Sequence, residues 1–203
     1  MEIERSGSTI TMKGKELDAL DRLVLDFIKL IPFDYVIISG YTAILFGRAR
    51  TTEDVDLFVN PKSEEEFSEF CSRLSRTDFS FLNADSCHDA YDMLNEGLSL
   101  RIVYKGELYP NFELKLPKSN TAKISLADKI TIVLDQGTIF IGPLELQIPF
   151  KLYLGSDKDF ADARHLYKVF KDKLNTDKFK YFLKEMHISK ETIRRALGEE
   201  IGS

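Results

Sequence analysis

The sequence predicts an α/β (α+β) fold: a mixed sheet flanked by helices, with a C-terminal helical bundle. Two observations lead to this prediction. Up to residue 142, apolar and β-branched runs typical of strands alternate with segments whose apolar residues recur at helical spacing. From residue 143 to residue 203 only the helical spacing remains. Because no flexible linker separates the two parts, we expect the helical region 143–203 to pack on the α/β domain 1–142.

The first elements alternate between strand and helix. They are a short strand at Thr9–Met12, an amphipathic helix at Lys15–Ile31 ended by Pro32, and a buried strand at Tyr35–Ser39. A second strand follows near residue 54. Ser63 and Glu66 then form a capping box, which predicts a helix to about Ser75.

The remaining elements are shorter. The predicted strands are Phe79–Leu82, Leu98–Tyr104, Asn111–Leu116, Lys129–Leu134 and Thr138–Ile141, the last two forming a hairpin. The predicted helices are Asp85–Asn95, Pro143–Leu154 with a kink or break at Pro149, a helix capped by Ser156, Asp177–Met186 and Lys190–Ile201.

Composition excludes several classes of protein. The 203 residues are 43% apolar and 30% charged, as in globular proteins, and the net charge is -5. A nucleic-acid substrate therefore needs a local basic patch, since the whole molecule has no basic field. No segment is long enough to span a membrane, and the N-terminus lacks an apolar signal region. We expect a cytoplasmic protein with no membrane partner.

The cysteines and histidines show no metal-binding pattern. Cys71 and Cys87 lack the spacing of a zinc site, and we predict reduced thiols, with Cys71 in the core. His88, His165 and His187 share no spacing that favours a metal ion, and we interpret them as incidental.

The most informative pair is Asp54 and Asp56. Alternate side chains of a strand share a face, so both carboxylates lie on one face, roughly 6.5–7 Å apart along the chain, and Val55, Leu57 and Val59 lie on the other. Two carboxylates on an otherwise apolar strand are costly unless a cation accompanies them. Mg²⁺ takes one or two carboxylates together with phosphate oxygens.

Other interpretations of this region stay open. The aspartates are alternatively solvated at a strand end, or paired with Arg48 and Arg50 in salt bridges. For the two arginines, contact with these aspartates, with a phosphate or with solvent are the alternatives. For Thr52, the alternatives are a hydrogen bond to the loop and a position at the end of a strand.

A tight turn precedes the acidic strand. Ser39, Gly40 and Tyr41 open a short helix, an arrangement that aims backbone N–H groups at a phosphate. Gly40 would permit a close approach of that phosphate, although an ordinary turn glycine is the alternative.

These residues resemble the signature of the nucleotidyltransferase superfamily, which includes DNA polymerase beta and kanamycin nucleotidyltransferase. The signature is an apolar residue, a Gly-Gly or Gly-Ser turn, about a dozen residues, and Asp-x-Asp or Asp-x-Glu on a strand. The chain is more similar to the minimal prokaryotic branch related to abortive-infection (AbiEii-type) toxins. The matching segments are Gly47-Arg48-Ala49-Arg50-Thr51-Thr52-Glu53-Asp54-Val55-Asp56, a downstream Lys151, and Lys158-Asp159-Phe160-Ala161-Asp162. The resemblance covers about residues 34–60 and 143–172.

Two positions depart from the family pattern. Ser39 stands where the first glycine of the turn is usual, and its β-carbon narrows the space for a triphosphate. The third acid of the superfamily has no counterpart in the run from Ser99 to Ile102. Glu113 on the following strand points away from the apolar face, and it is the candidate third acid.

The resemblance implies transfer of a nucleoside monophosphate from a nucleoside triphosphate, with Mg²⁺ or Mn²⁺, to tRNA, a protein or a small molecule. It also implies a toxin with an antitoxin partner. The assigned roles are metal binding for Asp54 and Asp56, completion of the catalytic site by Glu113 and Lys151, and nucleotide contacts from Ser39, Gly40, Arg48, Thr52, Lys158 and Asp159.

Each of these roles has an ordinary structural alternative. Lys151 can extend to solvent from an apolar helix, Lys158 and Asp162 can form a surface pair, and Asp159 suits any helix N-terminus. The alternative function is a non-catalytic module that binds a nucleotide or a partner on the same fold. A purely structural protein is the weaker alternative.

Overall fold

A computed structural model describes residues 1–198, in which nine strands form one mixed sheet. The strands are β1 (Glu2–Ser6), β2 (Thr9–Lys13), β3 (Asp34–Ile38), β4 (Asp54–Asn60), β5 (Phe79–Phe81), β6 (Leu100–Tyr104), β7 (Asn111–Lys115), β8 (Ile130–Leu134) and β9 (Gly137–Ile141). Their order across the sheet is β1-β2-β8-β9-β3-β4-β7-β6-β5. The predicted mixed α/β sheet flanked by helices is confirmed.

Helices alternate with the strands and then continue alone. They are α1 (Ala19–Ile28), α2 (Gly40–Leu45), α3 (Glu64–Leu74), α4 (Cys87–Glu96), α5 (Asn120–Ala127), α6 (Leu144–Leu154), α7 (Asp157–Phe170), α8 (Thr176–Glu185) and α9 (Lys190–Leu197), with a 3-10 turn at Lys171–Lys173. Within residues 1–198, none of these helices has both the length and the apolar character needed to cross a bilayer.

Strand β4 lies near the middle of the sheet, antiparallel to β3 and parallel to β7. Val55, Leu57 and Val59 are fully buried on one face of β4, so the alternating residues of the strand must lie on the other. The apolar cluster on the buried side extends to Phe27, whose ring stacks on that of Phe112 at 3.8 Å. Core packing therefore fixes the direction in which the aspartates of β4 point.

Several element boundaries differ from the predictions. Helix α1 begins four residues later than predicted, because Asp18 caps it: the Asp21 N–H donates to the Asp18 carboxylate at 2.8 Å. Helix α6 is continuous through Pro149. Strand β1 and helix α5 have no predicted counterpart, since β1 is largely charged and α5 buries Ala122 and Ser125, which give little apolar periodicity. The predicted extension of the last helix to residue 201 lies outside the described residues.

The prediction of two reduced thiols is wrong, because Cys71 and Cys87 form a disulfide bond. Cys71 lies on α3 and Cys87 begins α4, and the two helices pack side by side with these Cα atoms 6.0 Å apart, which suits a disulfide. A separation of 16 residues gave no sign of this contact. The cysteines consequently no longer support a reducing compartment.

Reduction of this disulfide should lower the free energy of unfolding by about 3 kcal/mol, because the reduced unfolded chain regains the freedom of a loop of this length. Urea unfolding with and without dithiothreitol measures the change, and a thiol reagent should find no reactive cysteine before reduction. The double variant Cys71→Ala/Cys87→Ala is the control and should not respond to the reductant. An equal response in both proteins would contradict the prediction.

Candidate metal and phosphate site

Three carboxylates converge at the centre of the sheet. Asp54 and Asp56 alternate along β4, and Glu113 is the direct neighbour of Asp56 on the parallel strand β7. Each side chain offers an oxygen, and the three oxygens lie within 4.8 Å of one another. The sequence-predicted acids are thus brought together, and Glu113 lies beside the aspartate pair as the candidate third acid.

The surroundings of Asp56 make its ionised form costly. Burial, and secondarily the charge of Asp54, raise the pKa of Asp56 to about 6, against the opposing charge of Lys115. Burial acts in the same direction on Glu113, but the hydrogen bond and charge of Lys115 outweigh it, so that the pKa of Glu113 lies below its usual value. Because burial destabilises the ionised form of Asp56, a cation bound beside this carboxylate would stabilise it.

Lys115 is a site residue that the sequence reasoning missed. Its Nζ atom donates to Glu113 Oε2 at 2.8 Å and to Asp56 Oδ1 at 3.3 Å. Burial alone would lower the pKa of Lys115, but these two carboxylates raise it instead. The available signal was the spacing: Lys115 is two residues after Glu113 and so shares its face of β7.

The turn before α2 has an unusual backbone. Ser39 has a φ of 67° and a ψ of -134°, a conformation that glycine adopts readily and other residues do not. Its N–H donates to Gln147 Oε1 at 3.1 Å, and Gln147 Nε2 donates to the carbonyl of Gly142 at 2.7 Å. Gln147 of α6, another residue that the sequence reasoning missed, therefore holds the turn from the helical side.

The opposite side of this turn is anchored in the core. Tyr41 is fully buried, and its hydroxyl donates to Asp21 Oδ1 at 2.8 Å. Lys15 pairs with the other oxygen of Asp21 at 2.6 Å, so this buried carboxylate is compensated. The start of α2 is consequently fixed both to α1 and to α6.

The variant Ser39→Gly should raise the free energy of unfolding by about 0.5–1 kcal/mol. Relief of the strained backbone, worth roughly 1–3 kcal/mol, exceeds the entropic cost of the added glycine. Urea unfolding measures the difference. Ser75→Gly is a matched control because Ser75 has a helical φ of -63°, and it should destabilise the protein. A destabilised Ser39→Gly would show that the serine side chain stabilises this turn.

Gly40 leaves room for the guanidinium of Arg50. A β-carbon added to Gly40 would overlap Arg50 Nη2 and would lie 3.3 Å from Thr52 Oγ1. Thr52 donates to the carbonyl of Asp54 at 2.9 Å, which ties the end of this loop to the acidic strand. Gly40, Arg50 and Thr52 therefore lie close together at the start of the acidic strand, and their contact with a phosphate stays a prediction.

A buried carboxylate organises the cations. Asp162 of α7 has no exposed side-chain surface, and its Oδ2 accepts from Lys151 Nζ at 2.7 Å and from Arg50 Nη2 at 3.1 Å, while its Oδ1 is in close contact with Arg48 Nη1. Lys151 itself is only 3% exposed and does not extend to solvent. Arg48 and Arg50 thus pair with Asp162, and the alternative in which they neutralise Asp54 and Asp56 is not what the structure shows.

The Asp162 cluster, meaning Asp162 with Arg48, Arg50 and Lys151, has an excess of positive charge. Asp159 approaches it, with one oxygen 3.9 Å from Lys151 Nζ. Asp159 also accepts a hydrogen bond from the Ser156 hydroxyl at 2.5 Å at the start of α7. Lys158 is exposed on the same turn, and its nucleotide-binding role stays a prediction.

A cavity of about 330 Å³ adjoins the turn and the Asp162 cluster. Ser39 lines it from the turn, Phe58 from β4, Ala122 from α5, and Phe150 and Lys151 from α6. Phe58 is two residues after Asp56 on the same face of β4, so the cavity continues the acidic face of the sheet. Its volume lies within the range of small-molecule sites.

Comparison with known proteins supports the fold. No protein-family model matches the chain, and no curated protein matches it. Among solved structures, an antigenic nucleotidyltransferase-like protein from Paracoccidioides brasiliensis matches with a TM-score of 0.51 and 16% identity, over 89% of this chain and 91% of that one. JHP933 from Helicobacter pylori matches with a TM-score of 0.46 and 15% identity, over 89% of this chain and 80% of that one. The chain therefore has a nucleotidyltransferase-like fold, while the AbiEii-type branch stays a prediction.

Proposed function

We propose that this protein is a metal-dependent nucleotidyltransferase that moves a nucleoside monophosphate from a nucleoside triphosphate to an acceptor. The convergence of Asp54, Asp56 and Glu113 beside the Gly40 turn carries the proposal. The nucleotidyltransferase-like fold supports it, and the turn directly follows β3, the strand that pairs with the acid-bearing β4.

The acidic site fits a hard divalent cation. It offers carboxylate oxygens, the donor type that Mg²⁺ and Mn²⁺ prefer, and the partly buried Asp56 lacks full compensation. Asp54 and Asp56 would hold the ion, with Glu113 beside them. When bound, such an ion neutralises phosphate charge and activates the attacking oxygen.

The Asp162 cluster supplies the positive charge that a triphosphate needs. Arg48 is 20% exposed and Arg50 10%, so both remain within reach of a ligand at the turn. Helix α2 has only six residues and contributes a weak dipole, which leaves most of the phosphate binding to Arg48, Arg50 and Lys151. Asp162 holds these cations in place before the ligand arrives, so binding requires little reorganisation.

Two assays test the proposal. Calorimetry with ATP, CTP, GTP and UTP in the presence of Mg²⁺ should show binding of at least one nucleotide, lost in Asp54→Asn. Transfer of label from the α-phosphate should then be measured with tRNA, protein and small-molecule acceptors as separate arms. If the protein binds none of the four nucleotides, the proposal is overturned. Growth arrest on expression that depends on Asp54 would support the toxin role implied by the resemblance, and an antitoxin partner stays a prediction.

A non-catalytic nucleotide-binding module on the same fold is the second candidate. The strained Ser39 favours it, because its side chain stands at the turn where the family pattern has glycine. Under this alternative, nucleotides bind and binding is unchanged in Asp54→Asn, but no label is transferred to any acceptor.

A further inference from the structure

Lys115 occupies a position that distinguishes this site from a plain acidic triad. Its ammonium bridges two of the three carboxylates, at 2.8 Å from Glu113 Oε2 and 3.3 Å from Asp56 Oδ1. Lys115 and Glu113 are on the same face of β7, and Glu113 is paired with Asp56, so the strand register brings the side chain of Lys115 within reach of both carboxylates. Lys115 is 36% exposed, whereas Asp56 and Glu113 are 15% and 13% exposed, so the contact lies at the mouth of the site.

The charge of the site argues for one divalent ion. Three carboxylates and the Lys115 ammonium leave a net charge of about -2, which a single divalent cation neutralises. A second divalent cation would add two positive charges to a site that already holds Lys115. Arg101 is another cation close by, with its Nη2 atom 3.7 Å from Glu113 Oε1. Like charges at such distances repel strongly in a partly buried site.

We propose that the Lys115 ammonium takes the place of a second divalent ion between Asp56 and Glu113, so that the protein holds one ion, liganded by Asp54 and Asp56. The inference rests on the proposed function for the presence of the first ion. Lys115 is then a fixed positive charge next to the reacting phosphate, which a chelator cannot remove. Glu113 serves as the anchor of this lysine rather than as a metal ligand.

Binding of Mn²⁺ to the purified protein, without nucleotide, tests the assignment. Calorimetry and electron paramagnetic resonance should give one ion per chain for the wild type, with the signal of an isolated Mn²⁺. Lys115→Met keeps an unbranched side chain, one atom shorter than lysine, and removes the charge, and it should bind two ions per chain with the signal of a coupled pair. Lys115→Arg keeps the charge and should bind one.

Arg101→Met is the matched control. Arg101 also contacts Glu113, but its side chain is 53% exposed and its ion pair is with Glu113 rather than with Asp56. This variant should therefore still bind one ion. Two ions in the wild type, one ion in a folded Lys115→Met, or no ion in the wild type would each overturn the proposal. The wild-type measurement decides even if the lysine variant fails to fold. The number of Mn²⁺ ions bound per chain is measured without any transfer reaction. Failure of the proposed function is therefore detected by the transfer assays alone.

Discussion

Replacing Asp56 with asparagine is expected to abolish nucleotidyl transfer and, at the same time, to stabilise the metal-free protein. Activity should fall by about 10³-fold or more, because a ligand of the ion that stabilises the transition state is lost. At pH 8 the free energy of unfolding should rise by about 2 kcal/mol, because the folded protein no longer holds an ionised carboxylate whose pKa is raised from 3.8 to about 6.

The pH dependence identifies the cause of this stabilisation. Since the pKa of Asp56 is higher in the folded than in the unfolded chain, its favourable contribution is present below about pH 3.8 and is lost as the pH rises through about 6. Asp56→Asn should therefore match the wild type near pH 4 and exceed it at pH 8. Urea unfolding in EDTA at both pH values measures this. The exposed Glu53→Gln serves as the control, and an Asp56→Asn variant less stable than the wild type at pH 8 would contradict the prediction.

Replacing the buried Asp162 with asparagine should destabilise the protein, in contrast to the replacement of Asp56. Asp162→Asn is expected to lower the free energy of unfolding by about 3–5 kcal/mol, because it leaves Lys151 and the two arginines without their buried counter-ion. Nucleotide binding should weaken as well, since the cations lose the carboxylate that orients them. Thermal and urea unfolding of the purified variant measure the loss of stability.

The control for this prediction lies on the same helix. Asp157 is exposed at the start of α7, and Asp157→Asn should change stability by less than about 1 kcal/mol. Adding Lys151→Met to Asp162→Asn should recover part of the loss, because it removes one of the uncompensated charges. If Asp162→Asn is as stable as Asp157→Asn, the carboxylate does not balance the cluster.

Local sequence patterns predicted much of the fold and the acidic residues of the site. The alternation on β4 placed Asp54 and Asp56 together opposite Val55 and Leu57, as observed. The same reasoning gave the correct face for Glu113. The pairing of Asp56 with Glu113 depends on which strands become neighbours, however, and a single sequence does not contain that information in its periodicity.

The contacts that the sequence reasoning missed are those between distant segments. Gln147 contacts a backbone group 108 residues earlier, and Lys115 contacts an aspartate 59 residues earlier. Neither residue belongs to a pattern with a chemical meaning by itself. The Cys71–Cys87 disulfide was missed for the same reason, because it depends on how α3 and α4 pack. Helix α5 was missed because Ala122 and Ser125 make a poor apolar stripe on a helix that is nevertheless buried there.

Asp162 follows both acidic strands in the sequence, and this sets the order in which the side chains of the site can meet during synthesis. The acids of β4 and β7 can come together once about the first 115 residues have left the ribosome, because both strands are then available. Arg48 and Arg50 must wait for α7 before they meet their counter-ion. A nascent chain thus brings Asp54, Asp56 and Glu113 together before Arg48 and Arg50 are paired. Under the proposed function, the metal-binding acids would therefore assemble before the phosphate-binding cations.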